Sequence, residues 1–283
     1  MKERFFDFHA HSTVSDGELS PEELVAYAAK RKLDLLAVTD HDSYEGIEPA
    51  MCAASELGIT LIPGIELEVE YDGGEFHLLG LGIDEDCPEL LGLIERMREE
   101  RVRRNNRILD KLDSAGIPIS IEEIAARGVI TRPHIANVLV ERGLAASVSE
   151  AMQEYLIYGK PFYEPKVAAS FEEAVSAVHA ADGVAVMAHP VTLRLSPEDF
   201  INRLRFYKEA GLDGIEAYHT SHRESEAEFF CSVAQSLRLM VSAGSDFHGK
   251  GRRNAELGNT CCNMRIKDSM AMELVERLVG ISV

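Results

Sequence analysis

Short apolar runs alternate with amphipathic stretches along the first third of the chain. The runs from Phe5 to Phe8 and from Leu35 to Val38 have the length and composition of buried strands. A helix is predicted from Pro21 to about Lys32, because Ser20 is a favourable N-cap and proline is favourable at the first helical position. A second helix is predicted from Glu45 to Leu57. This alternation indicates a parallel sheet covered by helices.

Two parts of the chain depart from this alternation. The run Ile59 to Ile62 predicts a third strand, and Ile65 to Tyr71 and Phe76 to Ile83 flank the turn Asp72-Gly73-Gly74, which predicts a β-hairpin. From Pro88 to Ala115 the apolar positions have the period of one long helix, and short helical pieces follow. We therefore assign residues 100–165 to a small helical insertion, and 1–99 with 166–283 to an α/β domain.

The β-α alternation resumes after the insertion. A helix is predicted over Phe171 to Ala181, followed by a strand over Val184 to Ala188. The remaining predicted elements are the helix Pro197 to Ala210 with the strand Gly214 to Ala217, the helix Glu224 to Leu237 with the strand Leu239 to Ala243, and a last helix over Ser269 to Val279.

Composition narrows the classes of protein that the chain can represent. Its 283 residues, 46% of them apolar, suffice for one large α/β domain or a barrel with an inserted subdomain. The net charge of −19 argues against broad binding to duplex nucleic acid or to an anionic membrane. A nucleotide substrate remains compatible with this charge, because divalent cations would reverse its sign locally.

Neither a signal peptide nor a membrane-spanning apolar stretch is predicted. The five cysteines form no CxxC pair and suit reduced thiols. We therefore expect a cytoplasmic protein.

Nine side chains able to bind metal ions occur at or just after strand-like runs. They are His9, His11, Asp16, His41, Glu66, His77, His189, Asp246 and His248. An isolated His-x-His pair is weak evidence, since it also suits two half-buried polar residues at a strand end. Here the carboxyl ends of barrel strands would open on one face, so all nine side chains could converge. Mixed imidazoles and carboxylates suit Zn²⁺, Mn²⁺ or Fe²⁺, whereas oxygen ligands alone would indicate Mg²⁺ or Ca²⁺.

The segments that carry these residues, DFHAHSTVSDG, AVTDHDS, GIELE, HLLGLGI, AHP and GSDFHG, resemble the polymerase and histidinol phosphatase (PHP) superfamily in their order along the chain. The resemblance implies a distorted (β/α)7 barrel with a small helical insertion. It also implies two or three divalent ions, of Mn, Zn or Fe. By this resemblance, the first ion is held by His9, His11, Glu66 and Asp246, the second by Glu66, His77 and His189, and the third by Asp16, His41 and His248.

The chain is most similar to the stand-alone branch that hydrolyses nucleoside 3',5'-bisphosphates and short oligonucleotides. The resemblance therefore implies a phosphoric ester hydrolase that removes a 3'-phosphate and also trims short RNA from the 5' end, by attack of a hydroxide that bridges metal ions. No GxSxG or HCx5R pattern indicates a covalent nucleophile. The alternatives are a phosphatase of a non-nucleotide monoester such as histidinol phosphate, and a catalytically silent metal-binding scaffold.

Substrate contacts are predicted in two regions. Arg132 and His134 resemble the Arg-x-His segment of this branch, and Lys160 follows in the same insertion. Arg194 and His222 lie in the second half of the barrel. We assign catalytic roles to Glu66, Arg132, His134 and His222, and substrate binding to Arg132, His134, Lys160, Arg194 and His222. The alternative for Arg132 is a solvated side chain at a helix start.

Several other polar residues suit structural roles. Arginines at 96, 98, 101, 103, 104 and 107 form a basic run, in which Glu99/Arg103 and Glu100/Arg104 have the spacing of ion pairs on a solvated helix. Guidance of an RNA tail is the alternative. We expect His179 and His219 to be structural, and Asp40 and Asp42 to orient His41.

Overall fold

The computed structural model describes residues 3–124, 130–165, 168–249 and 255–281. The chain forms two compact units. The barrel unit comprises Met1–Ile94 and Ala169–Val283, and the helical unit comprises Glu95–Ala168. No helix among the described residues has the length and apolar character needed to cross a membrane.

The described residues of the barrel unit form one sheet whose seven strands follow the order of the chain. The strands are β1 (Phe6–Asp7), β2 (Leu35–Val38), β3 (Thr60–Val69), β4 (Phe76–Leu81), β5 (Val184–Met187), β6 (Gly214–His219) and β7 (Met240–Gly244). The last strand returns to the first, because Phe8 N donates to Ala243 O at 3.3 Å and Asp246 N donates to His9 O at 2.9 Å. The sheet is thus a nearly closed barrel, which confirms the predicted α/β fold.

Strand β4 gives the barrel its distortion. It pairs antiparallel with both β3 and β5, whereas the other neighbouring strands pair parallel. A hairpin joins β3 to β4, so no helix lies between them. The predicted hairpin is confirmed, and it is the reason why the β-α alternation fails at this point.

The prediction of two separate strands at Ile59–Ile62 and Ile65–Tyr71 was wrong. Thr60–Val69 is one continuous strand, which pairs with β2 as far as Pro63 and with β4 from Gly64 onwards. Pro63 lacks a donor but accepts a hydrogen bond from Gly82 N at 2.8 Å. Gly64 is required because a Cβ there would lie 2.9 Å from Thr39 Cγ2. Residues that usually break strands are accommodated by these specific neighbours.

Helices cover the strands of the barrel unit. They are α1 (Pro21–Lys30), α2 (Ile47–Leu57), α6 (Phe171–Ala180), α7 (Pro197–Glu209), α8 (Glu224–Leu237) and α9 (Met272–Ile281). Ser20 caps α1 through the Glu23 backbone N–H, as predicted. The predicted start of α2 at Glu45 and end of β6 at Ala217 each differ by two residues from the structure, and the last helix begins after a short 3₁₀ turn. Phe6, Phe8, Leu79 and Val186 are buried in the core enclosed by these elements.

The helical unit has its own core. Helix α3 (Pro88–Ser114) begins in the barrel unit and continues into the helical unit, where α4 (Arg132–Glu141) and α5 (Val148–Ala151) follow. Ile108, Leu112 and Leu139 are fully buried in this second apolar cluster. Two separate cores explain why the chain divides into two compact units.

Candidate metal centre

The barrel positions all nine predicted ligands on consecutive strands or just after them. His9, His11 and Asp16 follow β1, His41 follows β2, Glu66 and His77 lie within β3 and β4, His189 follows β5, and Asp246 and His248 follow β7. Each of the nine belongs to at least one group whose ligand atoms all lie within 4.8 Å of one another. The structure therefore brings every predicted metal ligand into one polar cluster inside the barrel unit.

Glu66 lies at the centre of this cluster and is fully buried. Its Oε1 lies 2.8 Å from His77 Nδ1 and 3.0 Å from His189 Nε2. Its Oε2 lies 2.9 Å from His41 Nδ1 and 3.2 Å from His11 Nε2. The two oxygens of one carboxylate thus face two different sets of imidazoles.

Two further carboxylates complete the cluster. Asp246 Oδ1 lies 3.2 Å from His11 Nε2 and 3.6 Å from His9 Nε2. Asp16 Oδ1 lies 3.1 Å from His248 Nε2, and also faces His11 and His41 at 4.0 and 3.9 Å. Asp246, like Glu66, thus lies next to imidazoles from more than one ligand group.

The donor set fits divalent ions that accept nitrogen and oxygen ligands. Atoms that bind one ion at about 2.0–2.2 Å lie about 3 Å from one another, the spacing seen around Glu66 and Asp246. His9 Nε2 and His11 Nε2 are buried and find no hydrogen-bond partner among the described residues. Buried polar atoms are almost always partnered, so these two nitrogens indicate that an ion belongs here.

The electrostatics of the cluster point the same way. Burial opposes ionisation of Glu66, yet the imidazoles of His41, His77 and His9 hold its pKa well below the usual range. Burial should lower the pKa of His11, but the carboxylates of Asp246 and Glu66, each 3.2 Å from its Nε2, raise that pKa to about 10. Protonated imidazole thus balances the carboxylates where no cation does, and binding of a divalent ion would release these protons.

Local backbone geometry aims the ligands inward. His189 and Asp246 have positive φ of 26° and 53°, values that a non-glycine residue adopts at a cost and only when held there. Asp40 holds the loop before Asp16, since its carboxylate accepts hydrogen bonds from Ser12 N at 2.8 Å and Ser15 Oγ at 2.5 Å. Asp40 was expected to orient His41, but its carboxylate contacts the loop between His11 and Asp16.

A cavity of about 190 Å³ opens onto the cluster. It is lined by His41, Glu66, Glu75, His77, His189, Thr192, His219, Ser221, Asp246 and His248. Neither Arg194 nor His222 belongs to this lining. A cavity of this size suits a phosphate group with its immediate surroundings, since whole-ligand pockets are typically about 300 Å³ or larger.

The predicted substrate residues on the barrel unit differ in environment. Arg194 is exposed and has a left-handed backbone, with φ of 54°. His222 is buried, and its Nδ1 donates to Ala217 O at 2.9 Å. Burial lowers the pKa of His222 to about 4, so the ring is neutral at pH 7 and its Nε2 carries a lone pair. His222 can therefore accept a hydrogen bond at neutral pH but has no proton to supply from Nε2.

The other three predicted substrate residues lie together in the helical unit. Arg132 is the first residue of α4, and its guanidinium donates to Leu156 O at 3.4 Å. His134 Nδ1 accepts from Thr131 N at 3.0 Å, so in the neutral ring Nε2 carries the proton. Lys160 Nζ lies 3.5 Å from Glu154. Arg132 and the Nε2–H of His134 both have the donor character that phosphate binding requires.

Sequence reasoning missed Glu216 and gave His219 only a structural role. Glu216 lies within β6, is fully buried, and contacts His9 Nδ1 at 3.1 Å. His219 Nε2 lies 3.6 Å from Asp246 Oδ2. The available signal was a carboxylate inside an otherwise apolar strand, Gly214 to Ala217, together with a strand that continues to His219.

Most of the residues for which structural roles were predicted have the expected environment. Arg103 pairs with both Glu99 and Glu100 on the surface of α3. Arg104, by contrast, is buried, so its predicted place on a solvated face was wrong. His179 Nε2 pairs with Asp213 at 2.7 Å, away from the metal ligands.

Comparisons with known proteins support the same interpretation. A 3',5'-nucleoside bisphosphate phosphatase from Chromobacterium violaceum is 36% identical over 260 residues, 90% of each chain. A 5'-3' exoribonuclease from Haemophilus influenzae is 35% identical over 245 residues, 86% of this chain and 89% of the relative. The solved structure of an amidohydrolase from Chromobacterium violaceum, with bound sulfate and no metal, matches with a TM-score of 0.83 and 33% identity over 96% of each chain.

The family profile of the PHP domain matches residues 7–188, which contain six of the nine clustered ligands. The remaining three ligands join the same cluster, His189 from the end of β5 and Asp246 and His248 from the end of β7. Profile, relatives and ligand geometry agree, and the chain belongs to the PHP domain family.

Proposed function

We propose that this protein is a metal-dependent phosphoesterase that removes the 3'-phosphate of nucleoside 3',5'-bisphosphates. The observation that carries the proposal is the arrangement around Glu66. Its two oxygens face separate imidazole sets, His77 with His189 on one side and His41 with His11 on the other. A carboxylate placed in this way suits a bridge between two divalent ions, of which Mn²⁺, Zn²⁺ or Fe²⁺ fit the ligands.

The ligands divide naturally among up to three ions. Groups formed by His9, His11 and Asp246, by Glu66 with His9 and His189, and by Asp16 with His11, His41 and His248 all have suitable spacing. His77 contacts the same oxygen of Glu66 as His189. Bound ions would supply hydroxide near neutral pH and neutralise charge on the phosphate. The protein itself holds the ligands rigidly on strands, so the reacting geometry needs little reorganisation.

The helical unit contains three of the predicted substrate contacts. We assign Arg132 and His134 to the phosphate that is not cleaved, with Lys160 as a further contact. The guanidinium of Arg132 can bind two phosphate oxygens at once, and His134 offers a fixed N–H donor.

A second activity is favoured by the exoribonuclease among the relatives. Trimming of short RNA from the 5' end requires the same attack on phosphorus. The P–O3' bond would break, the 5'-terminal nucleotide would leave through its 3'-oxygen, and the phosphate would remain on the 5' end of the shortened RNA. His222, whose Nε2 accepts rather than donates hydrogen bonds at neutral pH, would contact a substrate hydroxyl in either reaction.

The test is phosphate release by protein reconstituted with Mn²⁺, Zn²⁺ or Fe²⁺. The panel comprises adenosine 3',5'-bisphosphate, adenosine 5'-monophosphate, histidinol phosphate and a 5'-phosphorylated tetraribonucleotide. We expect the bisphosphate to give the highest kcat/KM, with adenosine 5'-monophosphate as the product. Hydrolysis of histidinol phosphate alone would replace this proposal by the monoester alternative. Absence of turnover on every substrate with metal bound would leave a metal-binding scaffold.

A further inference from the structure

Among the described residues, one more cluster with the composition of a metal site includes side chains beyond the nine predicted ligands. It consists of His9, Glu216 and His219, all fully or almost fully buried. Glu216 Oε1 lies 3.1 Å from His9 Nδ1, and Glu216 Oε2 accepts from His189 N at 2.8 Å. The cluster is either a further ion site or a support for the ligands already described.

The positions of protons on the rings distinguish the two. His9 Nδ1 faces a carboxylate oxygen, so in the neutral ring that binds an ion it carries the proton, and the lone pair is on Nε2, the atom that faces Glu66 and Asp246 at 3.4 and 3.6 Å. His219 Nδ1 accepts from Ser221 N at 3.1 Å, so the proton of the neutral ring is on Nε2. Both nitrogens directed at Glu216 thus carry protons and have no lone pair for an ion.

We infer that Glu216 is a positioning residue for two metal ligands. Through His9 Nδ1–H it selects the tautomer that directs the lone pair of Nε2 into the ion cluster. Through the N–H of His189 it holds a backbone whose φ of 26° is unfavourable for a residue with a side chain. One buried carboxylate therefore orients ligands that follow β1 and β5.

Close packing restricts the position of the Glu216 carboxylate. A Cβ at Gly244 would lie 2.3 Å from His9 Cβ and 2.6 Å from Glu216 Oε1, so only glycine allows β7 to approach this pair. The carboxylate thus has a fixed position between β7, His9 and the turn at His189. His219 Nε2–H lies 3.6 Å from Asp246 Oδ2 and 4.0 Å from Glu216 Oε2, as a donor near two carboxylates.

Glu216→Gln tests this inference, because glutamine keeps the shape but offers only one accepting oxygen to two donors. Either the N–H of His189 loses its acceptor or His9 must move its proton to Nε2. We expect affinity for Mn²⁺ to fall about 10- to 100-fold, measured on metal-free protein by competition with a chelator. The ¹⁵N shifts of the His9 ring report its tautomer independently of any activity.

Asp213→Asn is the matched control. Asp213 precedes β6, at the other end of the same strand, and likewise accepts from a histidine, His179 Nε2 at 2.7 Å, and from a backbone N–H, Ala185 N at 2.8 Å. This variant should bind Mn²⁺ like the unchanged protein. Equal losses in the two variants would attribute the effect to the strand as a whole and overturn the inference, as would wild-type affinity in Glu216→Gln.

His219→Gln keeps the inference testable if Glu216→Gln does not fold. It should retain the full metal content, because His219 is a donor here; loss of an ion would make His219 a ligand and overturn the assignment. The inference extends the proposed function, yet metal affinity is measured without substrate. Failure of the nucleotide assay would therefore leave this result standing.

A separate observation in the helical unit concerns an exposed aromatic side chain. Tyr158 is 85% exposed, the highest value among the large apolar side chains of the described residues. Its ring nevertheless has a packing partner, since it contacts the ring of Tyr163 edge-on with centroids 5.5 Å apart. Phe162, the residue before Tyr163, is buried in the core of the helical unit. The backbone closes around it, since Lys160 N donates to Ile157 O at 3.0 Å and Phe162 N to Tyr155 O at 3.0 Å.

Two cationic residues are connected to the segment that contains Tyr158. Arg132 donates to Leu156 O, two residues before Tyr158, and Lys160 follows it by two residues. Exposed aromatic rings between cations are the arrangement with which proteins bind single-stranded nucleic acid, because bases stack on the ring while cations contact the backbone. We propose that Tyr158 stacks with a nucleobase of an RNA substrate, which rests on the proposed function for the choice of ligand.

The experiment uses a tetraribonucleotide that contains 2-aminopurine and phosphorothioate linkages, so that binding is observed with little cleavage. Tyr158→Ala should weaken binding roughly 5- to 150-fold and abolish quenching of the 2-aminopurine emission, whereas Tyr158→Trp should retain both. Phe206→Ala is the control, since Phe206 is 51% exposed but lies on α7 of the barrel unit. Unchanged binding by Tyr158→Ala would refute the proposal, and equal weakening by Phe206→Ala would indicate non-specific contact with exposed rings.

Discussion

The barrel unit and the helical unit differ strongly in net charge. The helical unit, residues 95–168, has 11 acidic and 12 basic residues, whereas the rest of the chain has 37 acidic and 17 basic. The barrel unit therefore has a net charge of −20, whereas that of the helical unit is +1. It is this unit that contains the nine clustered ligands.

The difference in net charge between the units explains how an acidic chain can act on an anionic phosphate ester. An acidic barrel attracts divalent ions but repels phosphate until those ions are bound. The cations suited to direct phosphate contact, Arg132 and Lys160, lie in the unit without excess acid. Metal binding and substrate binding should consequently respond to separate sets of substitutions.

The largest expected effect comes from removing the carboxylate at the centre of the barrel cluster. Glu66→Ala should reduce phosphate release on the order of 10³-fold or more and lower the metal content, because both oxygens contact ligand imidazoles. Elemental analysis and circular dichroism measure metal content and folding. His179→Ala, in the same unit but paired with Asp213, is the control and should keep its metal. Unchanged stoichiometry in Glu66→Ala would remove Glu66 from the centre.

The next effect tests the helical unit. Arg132→Ala should spare the metal content but reduce kcat/KM about 30- to 1000-fold, the loss expected for a charge-assisted phosphate contact. The loss should be larger for a bisphosphate than for a monophosphate. Arg142→Ala is a control at the other end of α4, where the side chain pairs with Glu123. An equal loss on both substrates would assign Arg132 to the reacting phosphate.

A smaller effect concerns His222, whose pKa is lowered although it lies in the acidic barrel unit. An acidic surrounding should raise an imidazole pKa, yet burial lowers that of His222 from 6.5 to about 4. A depressed folded-state pKa contributes stability that is complete above pH 6.5 and is lost as the pH falls towards 4. His222→Gln should therefore lose less thermal stability than the unchanged protein between pH 7 and pH 5, measured as Tm. Equal losses would mean that His222 is already protonated or exposed.

The smallest effect should come from the basic run on α3. Arg103 is 59% exposed and pairs with Glu99 and Glu100, an arrangement that contributes little. Arg103→Ala should change the free energy of unfolding by no more than about 0.5 kcal/mol and leave RNA binding unchanged. Weaker RNA binding in this variant would show that the run guides RNA, and would extend the substrate surface of the helical unit.

Local patterns predicted the elements well where their causes are local. The cap at Ser20, the turn at Asp72-Gly73-Gly74 and the long apolar period of α3 each depend on residues close in sequence, and the structure has all three features. The continuity of β3 through Pro63 and Gly64 was not predictable in this way. It depends on Gly82 as a donor and on the end of β2 as a close neighbour.

The sequence was enough to predict which side chains can bind metal and that they lie at strands or just after them, because ligand chemistry and apolar runs are properties of short segments. Which ligands contact one another depends on the tertiary structure, since Glu66 contacts imidazoles that lie on or just after β1, β2, β4 and β5. The tertiary structure alone also revealed Glu216, whose role depends on contact with His9, 207 residues away, and on the backbone of His189. A hydrogen bond between distant strands has no periodicity or spacing in the sequence from which it could be predicted.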